Sequence, residues 1–334
     1  MNRPEPAERF VRGCAWPARG DVAYPRADPE DLARLPLDTA TSAQLPVGVR
    51  LELVGDAPTV ELHYRTGTDD LGYRGAGAGT SFVAYRAGVP VDEAPAQLGA
   101  GTARLTLGTG DPDERVIVYL PEAMRPVVDS ITPIGGAVAP PPDQPRWLAY
   151  GDSIAEGWVA SSPAGAWPAI VGRDRGLDVI NLGYAGAARG ELATAEQLAH
   201  LPAAVISISH GTNCWSRVPF SAALLREGTR AFLTLIRHGH PHTPIVVTSP
   251  VVRPDAEATP NALGATLADL RAAIEDVATE RRAAGDDHLT LVPGGTLLAP
   301  GDLADGIHPG DDGHRTLAAV FGRAVRDAID PGGR

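Results

Sequence analysis

Four short segments combine the residue types that acyl chemistry uses: Gly151-Asp152-Ser153, Gly183-Tyr184-Ala185-Gly186, His210-Gly211-Thr212-Asn213 and Asp305-Gly306-Ile307-His308. A serine on a glycine-led turn at a helix start is exposed for attack, and its own N–H points where an oxyanion forms. A hydroxyl stays a weak nucleophile until a base takes its proton, and a histidine oriented by a carboxylate is the usual base. Ser153 is therefore the candidate nucleophile, His308 the candidate base and Asp305 the carboxylate that orients it. Two residues separate Asp305 from His308 and Pro309 stiffens the loop, so the carboxylate can hold one ring nitrogen while the other faces Ser153. The N–H groups of Ser153 and Gly186 and the side-chain amide of Asn213 supply three oxyanion donors, because glycine permits close backbone approach and asparagine presents a neutral donor. Taken singly, Gly151-Asp152-Ser153 also reads as helix-cap chemistry, and the other segments as turns.

These segments work together only if the fold carries them to one rim. The first three follow apolar runs at 147–150, 179–182 and 204–208, and two more such runs lie at 245–248 and 289–292. Helical stretches are expected near 189–200, 221–238, 261–284 and 312–329. Unbroken apolar strands alternating with amphipathic helices predict an α/β fold, a parallel sheet covered on both faces, with ligands at the carboxyl ends of its strands. The preceding part has a different pattern. Short alternating runs at 49–54, 60–64, 82–85, 103–107, 115–120 and 127–131 are separated by glycine and aspartate clusters at 67–70, 75–79 and 108–111. That pattern predicts an antiparallel, jelly-roll-like sandwich of about seven or eight strands. Four prolines in residues 138–146 are expected to interrupt both sheet and helix, which places a β-sandwich domain at 1–140 and a catalytic domain at 146–331. Because the chain enters its first parallel strand at the end opposite Ser153, the sandwich is expected to reach the rim only through a loop that folds back.

The four segments resemble the blocks of the SGNH (GDSL-like) hydrolase superfamily. Gly151-Asp152-Ser153-Ile154 is similar to the first block, with isoleucine in place of the commoner leucine. Asn181-Leu182-Gly183-Tyr184-Ala185-Gly186 is similar to the second, Gly211-Thr212-Asn213 to the third and Asp305-Gly306-Ile307-His308-Pro309 to the last, all in family order. The resemblance implies a flavodoxin-like fold and a serine esterase. A jelly-roll domain ahead of it resembles the two-domain carbohydrate esterases, which implies a small acyl group, such as acetyl, on a sugar or glycosylated metabolite. The same machinery serves an acyltransferase or thioesterase. A non-catalytic carbohydrate-binding protein is the third reading, and an intact nucleophile, base and donor set argue against it.

Composition narrows the partners. All 29 basic residues of the 334 are arginine, so phosphate-cradling, Schiff-base and kinase lysines are excluded. A net charge of −12 with no basic block disfavours nucleic acid and anionic membrane and suits a small-molecule ester substrate. Mean hydropathy is −0.08, and no apolar run is long enough to span a bilayer. The charged, proline-broken start and two cysteines, Cys14 and Cys214, read as free thiols, point to the cytoplasm. No cofactor or metal is expected; His238, His240 and His242 read as helix-end histidines. His314, Trp158 and Trp167 read as structural residues, while Trp215, two residues past Asn213, is a candidate pocket wall with the core as its alternative.

Overall fold

The computed structural model describes residues 3–72 and 79–330; most of the glycine cluster expected to turn at 75–79 lies outside them. Strands β1 (Glu5–Pro6), β2 (Val11–Arg12), β3 (Arg50–Gly55), β4 (Thr59–Thr66), β5 (Ser81–Arg86), β6 (Val89–Pro95), β7 (Gly99–Thr106), β8 (Val116–Tyr119), β9 (Pro126–Ile134) and β10 (Val138–Ala139) build two antiparallel sheets. One has the order β1-β9-β4-β7, the other β10-β3-β8-β5-β6 with β2 beside β3. Alternate residues of both, among them Leu51, Leu53, Val60, Leu62, Phe82, Val118 and Ile131, meet in one core. All six alternating runs are strands. β6 escaped them because it is an exposed edge carrying Pro90 and Pro95, with no buried face to impose alternation. The proline-rich segment also departs from expectation: Val138 and Ala139 still pair with Gly55 and Val54, and the interruption begins only at Pro140.

The remaining strands, β11 (Arg146–Gly151), β12 (Asp178–Gly183), β13 (Val205–Ser209), β14 (Ile245–Thr248) and β15 (Leu289–Val292), form one parallel sheet in the order β12-β11-β13-β14-β15. Period-two alternation divides their side chains between two cores. Leu148, Tyr150, Ile206, Ile208 and Val247 pack against α4 (Leu192–His200), α5 (Ala222–Gly239) and α6 (Leu267–Ala283). Trp147, Ala149, Val205 and Val246 pack against α3 (Trp167–Arg175) and α7 (Asp311–Ile329), where Trp167 stacks on Phe321 at 4.0 Å. Two short helices complete the set: α1 (Leu37–Ser42) and α2 (Ser153–Glu156). α6 starts later than its apolar pattern because Thr266 and Asp269 form a capping box there. α3 carries no amphipathic signal and was not anticipated; Pro168 in its first turn and Gly176 after its end delimit it.

Two buried arginines join the halves. β12 is an edge strand, and its outward carbonyls at 179, 181 and 183 alternate along it. Arg50 Nη1 donates to Val179 at 3.1 Å, while Arg26 Nη1 donates to Asn181 at 3.3 Å and to Gly183. Arg50 is also fixed by Glu52 at 2.7 Å and Asp178 at 3.1 Å, and Arg26 lies 3.5 Å from buried Glu156. An edge that would otherwise expose unpaired backbone is thus closed by side chains. Ala27, Leu35 and Ala43, between the two arginines, belong to the core of the parallel sheet. Arg26→Met removes the cation beside Glu156 together with donors to four carbonyls. It is expected to cost about 3–5 kcal/mol in urea unfolding; a loss below about 1 kcal/mol would mean that water replaces the guanidinium.

Candidate active site

Ser153 lies where the first parallel strand ends. Asp152, not Ser153, caps α2: its carboxylate accepts from the Ile154 N–H at 3.0 Å, leaving Ser153 one residue inside the helix. The Ser153 hydroxyl instead meets His308 Nε2 at 2.8 Å. On the other side of the ring, Nδ1 lies 2.7 Å from Asp305 Oδ2. Asp305 Oδ1 accepts the N–H groups of His308 at 2.7 Å and Ile307 at 2.9 Å, so one carboxylate both folds the loop and holds the ring. The loop is closed behind it by the Ala304 N–H donating to the His308 carbonyl at 2.8 Å and by pairing of Leu303 with Pro309. Partial burial alone would raise the Asp305 carboxyl; hydrogen bonds from the His308 ring and from the two backbone N–H groups outweigh it and hold the group below the usual carboxylate value.

The second and third loops converge on the same rim. Asn181 joins them to the first: its amide donates to Ala155 at 2.9 Å and its oxygen accepts the Gly183 N–H at 2.9 Å. Only glycine fits at 183, since a Cβ there would lie 2.2 Å from the Glu156 nitrogen. Gly186 has φ +69, the left-handed region that favours glycine. Its carbonyl accepts from Arg189 at 2.9 Å, the neighbouring Ala185 N–H donates to Glu156 at 2.9 Å, and the Gly186 N–H has no partner among the described residues. The Asn213 amide donates one hydrogen to the Ala187 carbonyl, which orients the second. All five sequence-derived residues, Ser153, Gly186, Asn213, Asp305 and His308, therefore lie just past the strand ends on one rim.

Other residues fall elsewhere or were missed. Trp158 is not simply core: its ring lies over His308, centroids 5.3 Å apart at 30°. Trp215 is tied down by a hydrogen bond to Thr259 at 2.8 Å, and Arg253 lies over its ring at 4.9 Å. His314 is fully buried, with Nε2 3.1 Å from the Trp158 carbonyl. The N-terminal half reaches the rim through α1, where Asp38 pairs with Arg189 at 2.6 Å and Thr39 donates to Glu191 at 3.1 Å, and through the sandwich loops that carry Leu71 and Arg125. No periodicity marks Trp158, Asp38 or Thr39, and they meet partners more than a hundred positions away. Among the described residues no group of histidine, cysteine and acidic side chains suits a metal, and no helix is long and apolar enough to cross a membrane.

Residues 149–316 match the family model described as GDSL-like lipase/acylhydrolase. The chain belongs to the GDSL-like lipase/acylhydrolase family. Membership makes it an acyl-ester-acting enzyme, hydrolase or acyltransferase. Its fold is similar over 97% of both chains to a salicylyl-acyltransferase from a tetracycline biosynthetic pathway, at 25% identity and a TM-score of 0.83. It is also similar to a protein from Bacteroides ovatus described as a GDSL-like lipase, at 19% identity, TM-score 0.79, covering 99% of this chain and 98% of that one. A third likeness, at 12% identity and TM-score 0.64 over 97% and 98% of the two chains, is to an acetyl xylan esterase from the rumen bacterium Butyrivibrio proteoclasticus. The last two likenesses concern fold alone. No curated protein sequence matches.

Two buried groups beside the site of this GDSL-family enzyme titrate in opposite senses. Burial pushes the Asp152 carboxyl up to about 6, against hydrogen bonds from Ile154 and Thr212 and the charge of His308. Burial pushes His210 down to about 4, and neither ring nitrogen has a hydrogen-bond partner among the described residues. The Asp152 value lies above its unfolded 3.8, so its stabilisation is complete below that pH and is lost as pH rises toward 6. The His210 value lies below its unfolded 6.5, so its stabilisation is complete above that pH and is lost as pH falls toward 4. Each effect is about 3 kcal/mol, and over the shared window they offset one another. Relative to wild type, Asp152→Asn should steepen the acid loss of stability in urea unfolding between pH 4 and 6.5, and His210→Leu should reduce it. Parallel pH curves for all three proteins would contradict this assignment.

Proposed function

We propose that the protein is a serine esterase that removes a small acyl group, such as acetyl, from a sugar or glycosylated metabolite by way of an acyl-enzyme. The observation that carries this reading is the unbroken line of hydrogen bonds from Asp305 through both nitrogens of His308 to the Ser153 hydroxyl. Ser153 Oγ attacks the ester carbonyl carbon as its proton passes to His308 Nε2. Asp305 accepts from Nδ1, which fixes the tautomer and steadies the imidazolium. The carbonyl oxygen, now anionic, takes the N–H groups of Ser153 and Gly186 and the second amide hydrogen of Asn213. Collapse expels the alcohol with the proton from Nε2, and water then attacks the acyl-enzyme by the same route.

Because Asp305 sits below the usual carboxylate value, it stays ionised as pH falls toward the mildly acidic range and keeps its hold on the His308 ring. Activity, as kcat/KM, should drop on acidification, since a protonated ring has no lone pair for the serine proton. A rate that rose steadily toward acid would require a carboxylate base instead. Burst and turnover with p-nitrophenyl acetate test the enzyme reading; silence would favour a carbohydrate-binding protein without catalysis.

The likeness to the salicylyl-acyltransferase supports a second reading, in which an alcohol rather than water resolves the acyl-enzyme. Adding a candidate alcohol to a hydrolysis assay separates the two. New ester formed at the expense of free acid identifies transfer, and free acid alone identifies hydrolysis.

A further inference from the structure

A pocket of about 660 Å³ adjoins the site, within the size range of small-molecule sites. Among the described residues it is walled mainly by apolar groups from three parts of the chain: Leu37 at the start of α1 and Leu45 after it, Leu71 from the sandwich, and Trp158 and Val218 from loops of the parallel sheet. Leu37 is 84% exposed, Val218 45% and Leu71 43%, an apolar rim open to solvent. Two residues tie the pocket to the chemistry. Trp158 lines it while its ring lies over His308, and Ala185, which also lines it, precedes Gly186.

The charges lining the pocket are selective. Asp38 is paired with Arg189 at 2.6 Å, and Glu156 lies 3.5 Å from Arg26. That leaves Arg125, exposed and with no ion pair or side-chain hydrogen bond among the described residues. Its backbone is left-handed, with φ +48, a conformation that costs a non-glycine residue roughly 1 kcal/mol. An arginine held there against its backbone preference, on a chain of net charge −12, gives an apolar pocket a single unmatched cation. Arginine suits a carboxylate through two parallel N–H bonds.

We propose that this pocket binds the alcohol half of the substrate, and that the part it holds is the non-sugar portion of a glycosylated metabolite, apolar, ring-sized and carrying an anionic group that meets Arg125. The alcohol side is assigned because the leaving oxygen must collect its proton from His308, and Trp158 carries the pocket wall to that ring. This assignment rests on the serine-esterase reading above. The pocket is built jointly by both halves of the chain, so the sandwich and α1 take part in choosing the substrate.

The test compares two acetate esters of one ring system, 2-naphthyl acetate and 6-acetoxy-2-naphthoate, in wild type, Arg125→Glu and Arg125→Gly; glycine suits the left-handed backbone and keeps the turn. Wild type should favour the anionic ester, and the ratio of the two kcat/KM values should fall at least tenfold in Arg125→Glu and by less in Arg125→Gly. Ratios equal in all three proteins overturn the proposal. So does the same dependence arising from a carboxylate on the acyl group rather than on the alcohol. Fluorescence titration with 6-hydroxy-2-naphthoate reads the pocket without catalysis. Its Kd should rise at least tenfold in Arg125→Glu and rise also in Leu37→Asp, and an unchanged Kd overturns the proposal. Binding that depends on Arg125 in a protein that turns over no ester would uphold the pocket while rejecting the esterase reading.

Discussion

Ser153→Ala is expected to lower kcat toward an aryl acetate by on the order of 10⁶-fold, because nucleophile, base and orienting carboxylate act as a unit. The protein should remain folded, and the structure supplies the reason. The cap of α2 belongs to Asp152, which keeps its bond to the Ile154 N–H when Ser153 loses its hydroxyl. The alanine variant forfeits the bond to His308 at 2.8 Å and little else. Wild type treated with a fluorophosphonate should carry a single label on Ser153, located by mass spectrometry, and the alanine variant none. A label on any other residue, or an alanine variant that unfolds, would show that the serine has a different role.

Asn213→Ala should cost about 2.7–4 kcal/mol of transition-state stabilisation, a loss of 10²–10³-fold in kcat with little change in KM. The asparagine meets the substrate oxygen only once that oxygen carries negative charge, so the ground state gains little from it. One complication can be separated by measurement. The same amide holds the Ala187 carbonyl one residue past Gly186, so its removal also loosens the second donor. Arg189→Met, which releases the Gly186 carbonyl while leaving Asn213 intact, isolates that indirect part. If Asn213→Ala raises KM and keeps kcat, the residue binds substrate and the oxyanion lies elsewhere.

Much of the catalytic half could be read locally. The runs at 245–248 and 289–292 coincide with β14 and β15, and the other three lie within one or two residues of β11, β12 and β13. Strands buried on both faces carry a continuous apolar signal that needs no knowledge of the rest of the fold. Glycine-rich turns after such strands then place Ser153, Gly186 and Asn213 on one rim, because the carboxyl ends of parallel strands share a side of the sheet. Asp305 and His308 are close enough in sequence for one loop to join them. β6 and α3 lacked any such signal, one being a proline-bearing edge and the other a helix without an amphipathic stripe.

What the sequence determined by itself is the short-range chemistry: the strand periods, the glycine turn at Gly186, the pairing of Asp305 with His308, and the absence of any lysine. Tertiary structure decided the rest. Only the folded chain shows that Arg26 and Arg50 close the β12 edge, that Trp158 covers His308, and that α1 and Arg125 help wall a pocket beside the serine. Those contacts join residues from about 30 to more than 150 positions apart. The arginine and pocket contacts arise from the way the sandwich docks on the parallel-sheet half, and docking depends on shape and buried charge that leave no repeat along the chain.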